Sequence, residues 1–176
     1  MQDVLRREEE SKGKDARQRL QFVLLTTEQL DDVMAALAFL KTVPGIDSRR
    51  IAIAGHSFGG NLTLLAAERD KTVRAAVTFA AAANSWDRSP ELQQRLTTAI
   101  RNTNAAVMLT HAENDFSTSP GKALAAELQR LHKPYVLKIY PPVGLTSEDG
   151  HGMLYENIPA WESDVFEFLD QHVKKY

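Results

Sequence analysis

The chain has 176 residues, of which 43% are hydrophobic and 25% are charged, and its formal net charge is −2. This length and balance suit one globular domain with a hydrophobic core. The small net charge argues against a nucleic-acid or anionic-membrane partner, and the absence of cysteine excludes disulfides and a thiolate nucleophile. No apolar run approaches a membrane span, and the N-terminus lacks the apolar core of a signal peptide, so we expect a soluble cytoplasmic protein.

Residues 1–20 are dominated by charges of both signs. Mixed signs are typical of a solvated helix or loop rather than a binding tail, and Gly13 is expected to interrupt any helix there. We therefore divide the chain into a charged helical or linker segment, 1–29, and a main domain, 30–176.

A long amphipathic helix is predicted at the start of the main domain. Apolar residues recur at helical spacing from Leu30 to Leu40, and the helix is expected to end near Lys41. Thr26 and Gln29 resemble a capping box at its beginning.

Beyond this helix, short apolar runs alternate with helical segments. Buried strands are predicted where these runs are rich in β-branched residues, at 50–54, 73–80, 105–110 and 135–140. Helices are predicted at 59–69, 90–100, 119–131 and 160–173, with a loop at 141–152. On the last helix, Val165, Phe166 and Leu169 are expected to face the core. The alternation predicts an α/β fold with a mainly parallel sheet of about four strands, flanked by helices.

The strongest functional signal lies at the end of the first predicted strand. There the sequence reads Gly-x-Ser-x-Gly around Ser57, and a helix follows. A strand, a sharp turn and a helix around a central serine form a nucleophile elbow, which projects the hydroxyl above the sheet edge. Gly55 and Gly59 are expected to be glycine because a Cβ there would collide with the neighbouring backbone. The backbone N–H of Phe58 is the predicted half of an oxyanion hole.

A serine hydroxyl needs a base to become a nucleophile, usually a histidine that a carboxylate orients. In a parallel α/β sheet such groups lie in loops after the strands' carboxyl ends. Asp115 follows the third predicted strand, and His151 follows the fourth between two glycines. The chain order Ser57, Asp115, His151 is the order expected of an α/β-hydrolase triad.

Other acidic and histidine residues leave alternatives open. Glu113 is the second choice for the acid, and Asp149 is a weaker one. His111, Glu113 and Asp115 alternate along the chain, a pattern that metal sites also show. No second ligand cluster at metal spacing accompanies them, so no metal or other cofactor is predicted.

Four further residues are considered for the surroundings of the predicted site. His56 adjoins Ser57 and is expected to point away from it, in a structural or lining role. Asn84, Trp86 and Phe116 are candidates for substrate contact, with packing in the core or loops as the alternative role.

Four stretches together resemble the dienelactone hydrolase family of α/β-hydrolases: 47–60, 82–86, 111–115 and 150–152. The resemblance runs from about Leu30 to the end of the chain, and it implies that the main domain hydrolyses a small carboxylic ester or lactone. The family's namesake enzymes carry a cysteine where Ser57 stands, which favours general esterase chemistry here. Prolyl-oligopeptidase-type serine peptidases share the same C-terminal pattern and remain an alternative.

The chain departs from the family at its front. A complete α/β-hydrolase has several strands and the loop for a second oxyanion donor before the long helix, whereas only about 29 residues precede that helix here. A weakly active or non-catalytic module is therefore a third hypothesis. Without those strands, 50–54 is expected to become a sheet edge with unpaired backbone groups, which a second copy of the chain would cover in a homodimer.

Overall fold

The computed structural model describes residues 2–174 of the chain. Within that range the strands are β1 (Ile51–His56), β2 (Val73–Phe79), β3 (Ala106–Ala112) and β4 (Tyr135–Tyr140). The helices are α1 (Gln2–Lys12), α2 (Lys14–Thr26), α3 (Glu28–Leu40), α4 (Phe58–Arg69), α5 (Pro90–Asn102), α6 (Ser119–Arg130), α7 (Ser147–His151), α8 (Met153–Glu156) and α9 (Ile158–Val173), with a 3₁₀ turn at Trp86–Arg88. The predicted α/β class is confirmed.

The four strands form one parallel sheet in the order β1-β2-β3-β4. Gly55 pairs with Thr78, which in turn pairs with Leu109. Because every strand runs the same way, the loops that follow them all emerge at one edge of the sheet. The site described below lies at this edge.

Helices cover both faces of the sheet. One core layer, which includes Leu37, Leu64, Leu96 and Leu128, lies beneath α3 to α6, and a second layer lies beneath α9. On α9 the inward residues are Val165 and Phe168, whereas Phe166 is 61% exposed. The predicted inward position of Phe166 is therefore wrong. A step of one residue turns a helix by about 100°, so Phe168, three residues after Val165, shares its face.

The N-terminal helices break where the sequence predicts. Gly13 separates α1 from α2 with a φ of +87°, a conformation that favours glycine. Leu5 and Leu25 are buried, because α1 packs on α2 and α2 contacts α3 and α4. The predicted capping box at Thr26 is wrong: α2 continues through Thr26, whose hydroxyl donates to the Phe22 carbonyl at 3.0 Å.

The segment expected to be a loop, 141–152, contains α7. Thr146 and Asp149 form a true capping box at its start, each side chain accepting a backbone N–H from the other end of the motif. The sequence prediction missed this helix because Pro and Gly residues surround it and its length is only five residues.

β1 lies at an edge of the sheet, as predicted, since its partner in the described chain is β2 alone. An open groove lies beside the beginning of this edge, between Arg50 and Ala52 on one side and the C-terminal half of α9 on the other. Among the helices described, none is both long and apolar enough to cross a membrane.

Candidate active site

Ser57 lies at the sharp turn between β1 and α4. Its φ is +52° and its ψ is −114°, a strained combination for a residue that carries a Cβ. The Ser57 N–H donates to the Phe79 carbonyl at 2.8 Å, which extends the pairing of β1 and β2 to the turn itself. The sheet therefore holds the strained residue in place, and the N-terminus of α4 begins directly after it.

Two glycines, Gly55 and Gly60, make the close approaches that this turn requires, whereas the sequence predicts Gly55 and Gly59. A Cβ at Gly55 would lie 2.3 Å from the Gly59 carbonyl oxygen, so glycine is required there. A Cβ at Gly59 would meet nothing within 4 Å, and that prediction is wrong. The second close approach falls at Gly60, whose Cβ would lie 2.9 Å from the Cβ of Ala81.

The structure brings Ser57, His151 and Asp115 together from three separate parts of the chain. The distance from His151 Nε2 to Ser57 Oγ is 2.9 Å, and that from His151 Nδ1 to Asp115 Oδ1 is 2.8 Å. Asp115 lies in the turn after β3, and His151 is the last residue of α7. Both segments follow strand ends at the same sheet edge as the elbow, which is why residues so distant in sequence converge.

Asp115 is buried and accepts three N–H donors. Oδ1 accepts from His151 Nδ1 and from the Phe116 backbone, Oδ2 accepts from His111 Nδ1, and each distance is 2.8 Å. Burial by itself would favour the neutral acid, but the hydrogen bonds from His111 and His151 outweigh it and hold the pKa of Asp115 below its usual value. The carboxylate is therefore ionised at neutral pH.

The contact between His111 and Asp115 was not predicted. The alternating sequence pattern offers His111 only a metal-binding role, yet its side chain is 1% exposed and its Nδ1 is directed at Asp115. Glu113 is exposed, and no trio of His, Asp or Glu side chains among residues 2–174 is arranged to hold a metal ion. A histidine near the end of a buried strand, four residues before the acid, is the signal that would have indicated this contact.

Asp149 organises the helix that carries His151. Its Oδ2 accepts the backbone N–H groups of Leu145 and Thr146, each at 2.9 Å, and these bonds hold the pKa of Asp149 below its usual value. The Thr146 hydroxyl accepts the Asp149 N–H at 3.1 Å. Asp149 thus fixes the start of α7, one helical turn before the imidazole.

Asn114 fastens the turn that carries Asp115 to the segment that carries α7. Its Nδ2 donates to the carbonyls of Val143 and Thr146 at 2.8 Å, and its Oδ1 accepts the Val143 N–H at 2.9 Å. Gly150 approaches so closely that a Cβ there would lie 2.6 Å from Asn114. The separation between Asp115 and His151 is therefore fixed by packing and hydrogen bonding around Asn114.

His56 contacts the backbone of His151, whereas Asp115 contacts its ring. Its Nε2 lies 2.7 Å from the His151 carbonyl oxygen, and because a carbonyl only accepts, this nitrogen carries the proton. The Tyr155 ring packs edge-on against His56, with centroids 5.4 Å apart. Burial lowers the pKa of His56, which keeps this donor neutral. These contacts agree with the structural role expected for His56.

The predicted substrate-contact residues occupy different surroundings. Phe116 is 39% exposed, and its ring centroid lies 5.1 Å from that of His151. Trp86 is 6% exposed and belongs to the core, while Asn84 is exposed and accepts hydrogen bonds from Arg88. Phe58 is half-buried at the first position of α4, where the backbone N–H groups lack partners within the helix.

Comparisons with solved structures define the fold class. An acylaminoacyl peptidase from Pyrococcus horikoshii superposes with a TM-score of 0.65 at 20% identity, over 84% of this chain and 28% of the peptidase. A Klebsiella pneumoniae protein that carries a dienelactone hydrolase name gives a TM-score of 0.62 at 18% identity, over 84% of this chain and 60% of that protein. The chain has the α/β-hydrolase fold.

The sequence profile of the dienelactone hydrolase family matches residues 1–157. The chain therefore belongs to this family, and the match starts ahead of Leu30, where the sequence resemblance was expected to begin. A polyketide transferase, grgF of a Penicillium species, is 32% identical over 108 residues, which are 57% of this chain and 36% of the transferase. The chain thus spans about a third of that relative's length.

Proposed function

We propose that the protein is a serine hydrolase that cleaves carboxylic esters or lactones through an acyl-enzyme on Ser57. The observation that supports this most is the continuous hydrogen-bonded series from Ser57 Oγ through His151 to Asp115, with distances of 2.9 and 2.8 Å. An ionised, buried carboxylate, an imidazole and a hydroxyl in this order provide a base for the hydroxyl proton.

The geometry suggests the order of the chemical steps. Ser57 Oγ attacks the carbonyl carbon while its proton passes to His151 Nε2, and Asp115 stabilises the imidazolium that results. The carbonyl oxygen becomes an oxyanion, which the Phe58 N–H at the start of α4 would stabilise. The imidazolium then protonates the leaving alkoxide, and a water activated by His151 releases the acid and regenerates Ser57.

The test is hydrolysis of p-nitrophenyl acetate, butyrate and octanoate, with fluorophosphonate labelling in parallel. We expect labelling at Ser57 and a loss of at least about 10⁴-fold in kcat/KM for Ser57→Ala. Ser48→Ala, at an exposed serine before β1, is the matched control and should retain wild-type rates. A folded wild-type protein that neither labels nor turns over these esters would contradict the proposal and favour a non-catalytic module.

The same assay separates esterase from peptidase activity. The acylaminoacyl peptidase shares the fold alone, so a p-nitroanilide of an acylated amino acid belongs in the substrate series. We expect hydrolysis of the esters but not of the anilide. Efficient hydrolysis of the anilide would contradict this expectation and favour the peptidase alternative.

The Phe58 N–H is the single oxyanion donor that we assign. Removal of one such donor typically costs about 10²–10³-fold in kcat. We therefore expect slower turnover of aryl esters than a two-donor esterase achieves. Turnover at an ordinary esterase rate, about 10 s⁻¹, would contradict this expectation.

We also propose that a second copy of the chain covers the free edge of β1. The groove along that edge combines apolar Phe166 and Leu169 with charges of both signs, Arg50 and Asp170. A surface that carries both signs beside an apolar strip can pair with itself across a two-fold axis. An exposed strand edge is also prone to pairing with another chain.

Light scattering at micromolar concentration tests this assembly. We expect twice the chain mass of 19.6 kDa for the wild type and the single-chain mass for Phe166→Glu. Phe39→Glu is the matched control, because Phe39 is 70% exposed on α3 and does not line the groove. A wild-type monomer, or a dimer that Phe166→Glu leaves intact, would contradict the proposed interface.

A further inference from the structure

His111 forms a second histidine contact to Asp115, from the side opposite His151. Its Nδ1 lies 2.8 Å from Oδ2, whereas His151 Nδ1 lies 2.8 Å from Oδ1. Because the carboxylate is ionised and only accepts, Nδ1 of His111 carries the proton and donates it. The aspartate therefore bridges two imidazoles, one of which reaches Ser57 and one of which does not.

The His111 ring is tightly packed in the position of this contact. It is the second-last residue of β3, 1% exposed, and α6 presses against it at Gly121. A Cβ at Gly121 would lie 2.7 Å from Cδ2 and 2.9 Å from Nε2 of the ring. The imidazole of His111 thus occupies the space that a side chain at position 121 would need.

We propose that His111 is a positioning residue that locks the rotation of the Asp115 carboxylate, and this inference rests on the proposed function of the site. The terminal torsion of an aspartate is soft and roughly two-fold, so a bond to one oxygen alone does not fix the plane. Oδ1 already serves His151 and the Phe116 N–H. The His111 donor on Oδ2 completes the restraint and keeps Oδ1 directed at His151 Nδ1, where a small misplacement would slow proton transfer.

Two substitutions at His111 separate hydrogen bonding from packing. His111→Asn keeps an N–H donor near the position of Nδ1, while His111→Leu fills similar space without a donor. For p-nitrophenyl acetate we expect His111→Leu to lower kcat about 10- to 100-fold with KM within about threefold of the wild type. His111→Asn should restore kcat to within about fivefold of the wild type.

Gly121→Ala tests the same contact without altering any hydrogen-bonding group. The added methyl must displace the His111 ring, so kcat should fall in the same direction as for His111→Leu. Lys122→Ala, at the next and exposed position of α6, is the matched control and should leave kcat unchanged. Alanine favours a helix over glycine, so a loss in Gly121→Ala cannot come from weaker helix formation.

A spectroscopic measurement makes the test independent of turnover. Proton NMR of the wild type should show two slowly exchanging imidazole Nδ1–H signals, one for each histidine bound to Asp115, besides the Nε2–H signal of His56. His111→Leu should lose one signal and broaden the other, because the His151 N–H is then less firmly held. If His111→Leu keeps the wild-type kcat and a sharp His151 signal, the inference is overturned.

Two further results bear on the positioning role of His111. Equal losses of kcat in His111→Asn and His111→Leu would show that His111 only packs, and they would overturn the inference. If the wild type itself resists labelling by fluorophosphonate, the proposed function fails, and the NMR comparison still decides whether His111 restrains the carboxylate that holds His151.

Discussion

The two sides of Ser57 differ sharply in how they are built. On one side, Asn114 joins the segments that carry Asp115 and His151, while His111 holds the Asp115 carboxylate and His56 holds the His151 carbonyl. On the other side, β1 has a free edge, and a groove opens between it and α9. The three candidate residues are thus held by a dense set of contacts, while the described chain leaves the outer edge of β1 unpaired.

This contrast shows which part of the site the chain can assemble from its own contacts. The relay depends on loops after β3 and β4, both of which lie within one continuous parallel sheet. The surface beyond β1 has no such neighbour among residues 2–174. We infer that the described chain fixes the relative positions of Ser57, His151 and Asp115 by its own contacts, whereas the state of the β1 edge depends on what covers it.

The largest loss of activity is expected at Asp115, on the side of Ser57 where the contacts are dense. In Asp115→Asn, one of the two carboxylate oxygens that accept from His111 and His151 is replaced by an NH2 donor. His151 then adopts the wrong tautomer, and kcat should fall about 10⁴-fold. The steady-state kinetics of p-nitrophenyl acetate hydrolysis measure the loss. Glu113→Gln, an exposed neighbour in the same turn, should stay within about twofold of the wild type. Comparable losses in both variants would mean that Asp115 is not the acid.

The elbow itself lies between the two sides, and a pair of glycines tests its packing. Gly55→Ala forces a Cβ to 2.3 Å from backbone, so the free energy of unfolding should drop by about 1–3 kcal/mol or more. Gly59→Ala should change it by no more than about 1 kcal/mol, because that position is open and helical. Urea denaturation monitored by circular dichroism measures both. Equal midpoints would show that the turn relaxes more than the structure indicates.

A smaller loss of kcat is expected when the cap of α7, the helix that carries His151, is removed. Asp149→Ala removes the acceptor of two backbone N–H groups at the start of the helix that carries His151. We expect kcat to fall about tenfold, with KM nearly unchanged, because the imidazole is less well placed. Glu148→Ala, at the adjacent exposed position, should behave as the wild type. A loss in KM alone would point instead to a substrate contact.

The smallest effect concerns the pH dependence of stability through His56. Its folded-state pKa is depressed, chiefly by burial, so the unfolded chain binds more protons than the folded one. Stability is therefore complete above the unfolded pKa of about 6.5 and declines as pH falls below it. The cation of His151 would deepen this decline, and the Asp115 carboxylate opposes it.

His56→Gln keeps an N–H donor for the His151 carbonyl but does not titrate. Its unfolding free energy should fall less steeply than that of the wild type between about pH 6.5 and pH 5, above the ordinary pKa values of the carboxyl groups. Urea midpoints across this range measure the difference. Parallel curves for the two proteins would show that His56 does not contribute.

The sequence by itself determined the α/β class, the four strands, the elbow at Ser57 and the edge position of β1. The strands and the elbow depend on local patterns, namely apolar periodicity and a glycine-rich turn, whereas the edge position of β1 follows from the comparison with the family. Local patterns involve residues that are close in sequence, so they can be recognised without the tertiary structure.

Tertiary structure alone decided the surroundings of those residues. It assigned the close approach to Gly60 rather than Gly59, placed Phe166 in solvent, and brought His111 to Asp115. Each outcome depends on atoms from a different element, such as Ala81 beside Gly60, which no local pattern reports. The candidate site residues could therefore be predicted from the sequence, while the contacts that hold them in place depend on how the loops and helices pack around the sheet edge.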